Sequence, residues 1–236
     1  FYSERGELGL IHEKTKVKLG AVALAVMSLH GHPNRVAFGD EERHLWATID
    51  HLWRETGEFR TFLIPEDRND VQNFYPGEAL LAWSVKYLET KDPALLERFM
   101  NSFRYYRDWH REQRNPAFIP WHTQAYYTIW RETGDTELRA FVFEMNDWLL
   151  DVQQWDEVTY DDCRGRFYDP NRPFGPPHAS STGVYMEGLA DALAMARELN
   201  DQSRVDAYRR AILRGLRSVA QLTFKDEVDM FYVSKR

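Results

Sequence analysis

Polar and apolar positions alternate along this chain with the period of an α-helix over most of its length. Leu45, Trp46, Ile49, Leu52 and Trp53 recur at the i, i+3, i+4, i+7 spacing of one helix face, which predicts a helix over 41–56. A more uniformly apolar run from Val17 to Leu29 predicts a largely buried helix over 15–29, closed by His30-Gly31-His32-Pro33-Asn34. Pro76 opens a third helix that runs to about Thr90. Pro93 opens a fourth, to about Arg114, with Leu96, Phe99, Met100, Phe103, Tyr106 and Trp109 facing inward. Four more follow, over Trp121–Glu132, Thr136–Gln154, Thr182–Leu199 and Ser203–Leu222. The segment 57–75 reads as a long loop holding a strand pair or nothing regular, and 155–181 as the longest irregular stretch.

These elements pair into four helical hairpins. Within a hairpin the connections (31–40, 91–92, 134–135, 200–202) are mostly short and contain breakers. Those between hairpins (57–75, 115–120, 155–181) are on average longer, which gathers the long loops at the N-terminal ends of helices three, five and seven. Helix N-termini offer unpaired amide donors and the positive end of the dipole. An internal repeat supports the pairing. Glu89-Thr90-Lys91-Asp92 recurs as Glu132-Thr133-Gly134-Asp135 and more loosely as Glu198-Leu199-Asn200-Asp201, at offsets of 43 and 109. The same offsets bring Glu78 onto Trp121 and Glu187, which should then be structural equivalents in the first turns of neighbouring inner helices.

Composition narrows the picture. A chain of 236 residues can bury a sizeable core as one domain. A net charge of −7, without a Lys/Arg-rich stripe, argues against nucleic acid as a partner. The one cysteine, Cys163, excludes an internal disulfide and a multi-cysteine zinc site. The most apolar run, Leu19–Leu29, is too short to span a bilayer. A first residue Phe1 and an uncapped end at Arg236 suggest a piece of a longer chain, whose flanking domains would be its partners. The eight Trp and twelve Tyr exceed what an ordinary helical domain uses; large flat rings fill wide gaps between helices and also wall sugar sites.

The chain resembles the (α/α) toroids of the six-hairpin glycosidase superfamily, and within it the bacterial members related to the D-glucuronyl C5-epimerase C-terminal domain. The likeness rests on Lys18-Leu19-Gly20-Ala21, Tyr75-Pro76-Gly77-Glu78-Ala79-Leu80-Leu81, Trp121 with Gln124-Ala125, and Met186-Glu187-Gly188-Leu189-Ala190-Asp191-Ala192. It implies an all-α toroid of helical hairpins. Four hairpins stand where the family's ring has six, so the ring would be incomplete or completed from outside. The superfamily includes hydrolases, epimerases and proteins without a known reaction, so the resemblance favours a fold more than an activity.

Glycoside hydrolysis needs two carboxyl groups, one protonated and one ionised. Glu78 and Glu187 are the natural pair for it. His122, at the start of an inner helix, can donate to a sugar hydroxyl or titrate near neutral pH, and is the third catalytic candidate. Trp121 offers a stacking wall that Gln124 orients. Tyr75, Tyr185 and His178 are further substrate-binding candidates, and a Tyr beside a Glu would matter for proton abstraction at C5 of a uronate. Asp161, beside Asp162 in the long loop, would close over substrate, and Lys18 would read a substrate carboxylate or sulfate. His30, His32, His44 and His51 lack a recognised ligand spacing, so neither metal nor cofactor is expected. Two functions follow: a carbohydrate-active enzyme acting on a poly- or oligosaccharide, or a non-catalytic toroid that binds glycan or a protein within a larger assembly.

Overall fold

A computed structural model describes residues 1–156, 158, 161–168 and 179–221. Among these the chain is mostly helical, with eight α-helices and a small antiparallel sheet of four strands, so the all-α expectation is corrected to a helical fold with a sheet at its start. The helices are α1 Leu19–His30, α2 Gly39–Leu52, α3 Tyr75–Thr90, α4 Pro93–Glu112, α5 Ile119–Thr133, α6 Thr136–Asp151, α7 Ala179–Glu198 and α8 Gln202–Gln221. The chain divides into two compact units, residues 1–147 and 148–236, with the boundary inside α6.

The repeat is a structural joint. Lys91, Gly134 and Asn200 each take the left-handed conformation just past a helix, with φ of 50°, 69° and 55°. That geometry ends a helix by turning its last amides back on the preceding turn, as Lys91 N–H does to the Tyr87 carbonyl at 2.8 Å and Gly134 N–H to that of Trp130 at 2.7 Å. The aspartate that follows then caps the next helix. Asp92 accepts from Ala94 N–H (2.9 Å), Asp135 from Glu137 and Leu138 N–H (2.8 and 3.0 Å), and Asp201 from Arg204 N–H (3.2 Å). Lys91 is also paired with Glu132, which ties one joint to the next.

In the first unit α3 lies between α1 and α5, with α2 packed on α1 and α4 on α3. Trp83, Phe99, Phe103, Tyr106, Phe118, Tyr126 and Phe141 fill its core. Their edge-to-face contacts, such as Phe103 on Tyr126 at 5.0 Å, join α4, α5 and α6.

The strands are β1 Tyr2–Arg5, β2 Leu8–Glu13, β3 Lys16–Lys18 and β4 Phe62–Ile64, in that order across the sheet. Residues 15–18, predicted as the start of a helix, are therefore strand and turn. Val17 is buried with neighbours facing out, a period of two that the apolar run after it conceals. β2 presses on α2 at Gly9, where a Cβ would lie 2.9 Å from the Leu45 nitrogen, and Thr48 Oγ1 donates to the Gly9 carbonyl at 2.8 Å. The start of α1 is fixed to the segment before β4 by Leu19 N–H donating to the Thr61 carbonyl at 3.0 Å. In the second unit α7 packs along α8, and Gln153 and Phe167 form an isolated antiparallel bridge.

Candidate functional site

The first turn of α3 is set by the loop before it. Tyr106, fully buried on α4, accepts from Phe59 N–H at 2.8 Å and donates to Gln72 Oε1 at 2.9 Å, while Gln72 Nε2 donates to the Phe59 carbonyl at 3.0 Å. Asn69 accepts from Thr61 N–H at 2.9 Å and donates to Glu58 at 2.7 Å. These bonds fold the long connection onto itself, and Tyr106 ties it to α4. Val71 within this loop has φ of 72°, a conformation a β-branched residue adopts only under constraint from its surroundings. Pro76 then starts α3 without needing an amide partner.

Small residues let the inner helices meet at this end. A Cβ on Gly77 would lie 2.7 Å from Trp121 Cβ and 2.8 Å from His122 Nδ1, so the backbone of α3 lies directly against these side chains of α5. A Cβ on Gly20 would lie 1.9 Å from Glu78 Oε2 and 2.6 Å from Tyr75 Cδ1. The Glu78 carboxyl and the Tyr75 ring therefore converge on one notch in α1.

Glu78 is 8% exposed, and its buried Oε2 meets no hydrogen-bond donor. Loss of hydration pushes its pKa up to about 7, against the helix dipole, which favours the anion at this position. A buried carboxyl without a donor is rare enough to call for a reason. Burial also raises the pKa of half-buried Tyr75, and the charge of Glu78 raises it further. The arrangement holds a carboxyl that changes charge near neutrality beside a phenol that stays protonated there.

His122 does not belong with them as an accessible group, and this corrects its assignment. It is fully buried, its ring stacks on Phe118 at a centroid distance of 3.5 Å, and its Nδ1 is 2.7 Å from the Phe118 carbonyl. Burial holds its pKa down at about 3, so it is neutral throughout the physiological range. Trp121 and Gln124, on the same helix, are half-buried.

The remaining candidates have surroundings of their own. Lys18, at the end of β3, is paired with Glu13 and so is not a free cation. Glu187 lies in the second unit and is exposed, because α7 buries Tyr185, Gly188 and Leu189 and turns residue 187 outward. Tyr185 is buried edge-on against Phe167 at 5.7 Å. Asp161 is exposed and accepts from Arg164 Nε at 3.0 Å. His178 and the side chain of Asp162 lie outside the described residues.

One acidic residue escaped the sequence reading. Asp191, one turn beyond Glu187, has its pKa raised to about 6 by desolvation and then by the Glu187 charge. The i, i+4 spacing of the two acids was the available signal. His44 pairs with Glu4 at 3.2 Å and His30 lies 3.5 Å from Glu89; among the described residues no group of three or more His, Cys, Asp or Glu is placed to hold a metal ion. No described helix is long and apolar enough to cross a membrane. No protein-family model matches the chain, and no curated protein matches it significantly.

Proposed function

We propose that the first unit carries the site of a carbohydrate-active enzyme, at the N-terminal ends of α1, α3 and α5, in an incomplete or externally completed (α/α) toroid. The observation that carries this reading is the buried Glu78 carboxyl, poised to titrate near pH 7, converging with Tyr75 on Gly20. Half-buried Trp121, packed against Gly77 one position before Glu78, supplies the flat wall a sugar ring needs.

A carboxyl beside a phenol favours proton transfer at C5 of a uronate over hydrolysis by two carboxylates. Ionised Glu78 takes the C5 proton, and the electron pair of the broken C–H bond moves into the adjacent substrate carboxyl group. Tyr75 then returns a proton to C5 from the other face, giving the epimer, or the pair expels the neighbouring glycosidic oxygen with Tyr75 as its acid, giving an unsaturated product. Hydrolysis would instead need a second carboxyl facing Glu78, the role first given to Glu187.

The test is turnover of a polysaccharide panel by the wild type, Glu78→Gln and Tyr75→Phe, scoring deuterium uptake from solvent, unsaturated products and reducing ends. A fall of about 100-fold or more in deuterium uptake or unsaturated product for both variants is expected. Undiminished turnover in Glu78→Gln would remove it as the base. Binding without turnover by the wild type would establish the non-catalytic glycan binder instead.

A further inference from the structure

Helix α8 carries a cluster of arginines that this chemistry does not use. It holds five arginines against one acid, Asp206, in a chain whose net charge is −7. Arg209, Arg210, Arg214 and Arg217 line one open groove of about 690 Å³ together with Trp155, Leu213 and Asp206. Among the described residues no carboxylate pairs with any of these four guanidinium groups. The sequence reading missed this stripe because the arginines are interleaved with apolar residues and become neighbours only on the helix surface.

The groove is built rather than incidental. Arg214 stacks over the Trp155 ring at 4.4 Å and Arg217 lies 5.8 Å from its centroid. Arg217 Nη1 donates to the carbonyls of Asp161 and Arg164, both at 3.2 Å, and Arg164 donates to that of Trp155. The loop is latched onto α8 by Gly165, at φ of 95°, where a Cβ would lie 1.9 Å from the Arg214 carbonyl oxygen. Gln153 Nε2 spans the same joint, donating to the carbonyls of Gly165 and Ala211 at 3.1 and 2.8 Å. Stacked guanidinium planes turn their N–H edges outward, the geometry that grips oxyanions two bonds at a time. Four like charges gathered around a single carboxylate, Asp206, keep an excess of positive charge, and an anion relieves their mutual repulsion.

We infer that this groove binds an oligophosphate, a ligand with two or more phosphate groups in series. Arg210, Arg214 and Arg217 follow one face of α8 at rises of about 6 and 4.5 Å, which offers successive phosphates separate forks. A phosphate suits converging forks better than a carboxylate does, having more oxygens and up to two charges. The site is independent of the role given to Glu78.

Calorimetric titration of the whole chain with inorganic tripolyphosphate and with orthophosphate, at low and at physiological salt, tests this. Tripolyphosphate should bind at least about tenfold more tightly than orthophosphate, with affinity falling as salt rises. Arg210→Ala, at an exposed position, and Arg214→Ala should each lower affinity about tenfold. Arg214→Lys, which keeps the charge and loses the fork, should lower it about fivefold. Arg104→Ala, in the first unit, should leave it unchanged. Absence of tripolyphosphate binding, equal affinity for orthophosphate, or full affinity in Arg214→Lys would overturn the proposal. So would tighter binding of a single-stranded oligonucleotide with as many phosphates, which would make the groove a nucleic-acid surface.

Discussion

Gly20 on α1 leaves the Glu78 carboxyl its place: a methyl group at position 20 would stand 1.9 Å from Oε2 and 2.6 Å from the Tyr75 ring. Oε2 ends a flexible side chain and can be displaced, whereas the Tyr75 ring has less freedom. Gly20→Ala should therefore cost about 1–3 kcal/mol, as overpacking does. It should also swing Glu78 out of its dry position and lower its pKa toward the ordinary carboxylate range. Chemical denaturation measures the first effect and carbon NMR of the side-chain carboxyl the second. In Gly20→Ala/Glu78→Ala the two costs should be less than additive. Strict additivity would mean that the two side chains are not in contact.

Glu78 ties stability to pH in an unusual direction. Its folded pKa of about 7 lies above the usual 4.5, so between these values the native state holds a proton that the unfolded chain releases. Its contribution is fully present below about pH 4.5 and is lost as pH rises to 7, which amounts to about 3 kcal/mol. In urea unfolding at a series of pH values, the wild type should lose stability relative to Glu78→Gln, which cannot ionise, as pH rises from 4.5 to 7. An unchanged slope in the variant would mean that Glu78 is hydrated and titrates normally.

His122 slopes the other way. Its folded pKa of about 3 lies below the usual 6.5, so on acidification the unfolded chain takes up a proton that the native ring refuses. Stability present above pH 6.5 is lost as pH falls toward 3, by about 1.4 kcal/mol for each unit. His122→Phe keeps the stacking on Phe118 but abandons its carbonyl, at a cost of about 1–3 kcal/mol near pH 7. The variant should lose less stability than the wild type on acidification, so their unfolding curves draw together by pH 4.5. A constant gap at all pH values would show that the native ring takes up its proton at the ordinary pH of a histidine.

What the sequence made legible was whatever local chemistry determines. Helix-period faces, Pro76 and Pro93 at first turns, and the left-handed residue followed by a capping aspartate are all written within a few residues of where they act. The sheet was not, because strand β3 has only three residues and its partner β4 lies more than forty positions away. Facing was legible only in part. An offset of 109 aligns Glu187 with Glu78, but an alignment of lengths does not fix rotation about the helix axis, and Glu187 is exposed on α7. His122 follows the same logic: one place after the half-buried Trp121, it points into the Phe118 stack. The low polarity around Glu78 depends on Gly20, fifty-eight positions earlier, which no local pattern announces.

The repeated joint makes a prediction of its own. Asp135 accepts from two amides at the start of α6, and Gly134 before it holds φ of 69°. Asp135→Ala should cost about 1 kcal/mol through loss of the cap, and Gly134→Ala about 1 kcal/mol through left-handed strain. At the equivalent position Lys91→Gly relieves the same strain but gives up the exposed pair with Glu132, worth under about 1 kcal/mol, so its net effect should be small. Thermal unfolding of the three variants would rank them, and a large loss in Lys91→Gly would show the ion pair to matter more than the turn.

The strongest single anchor of the loop before α3 is the Tyr106 hydroxyl, which is fully buried and bonded on both sides, to Phe59 N–H and to Gln72. Burial pushes its pKa well above that of a free tyrosine, so it remains a neutral donor around neutral pH. Tyr106→Phe removes the hydroxyl but leaves the ring on Phe59, so the packing survives while the Phe59 amide and the Gln72 carbonyl oxygen lose their partner. The expected cost is about 1–3 kcal/mol. Because the loop leads into α3 through strained Val71, the loss should fall first on the loop, raising amide exchange across 57–74 before it touches α4. Exchange that rises equally in both would mean that the hydroxyl supports the core as a whole rather than the position of Glu78.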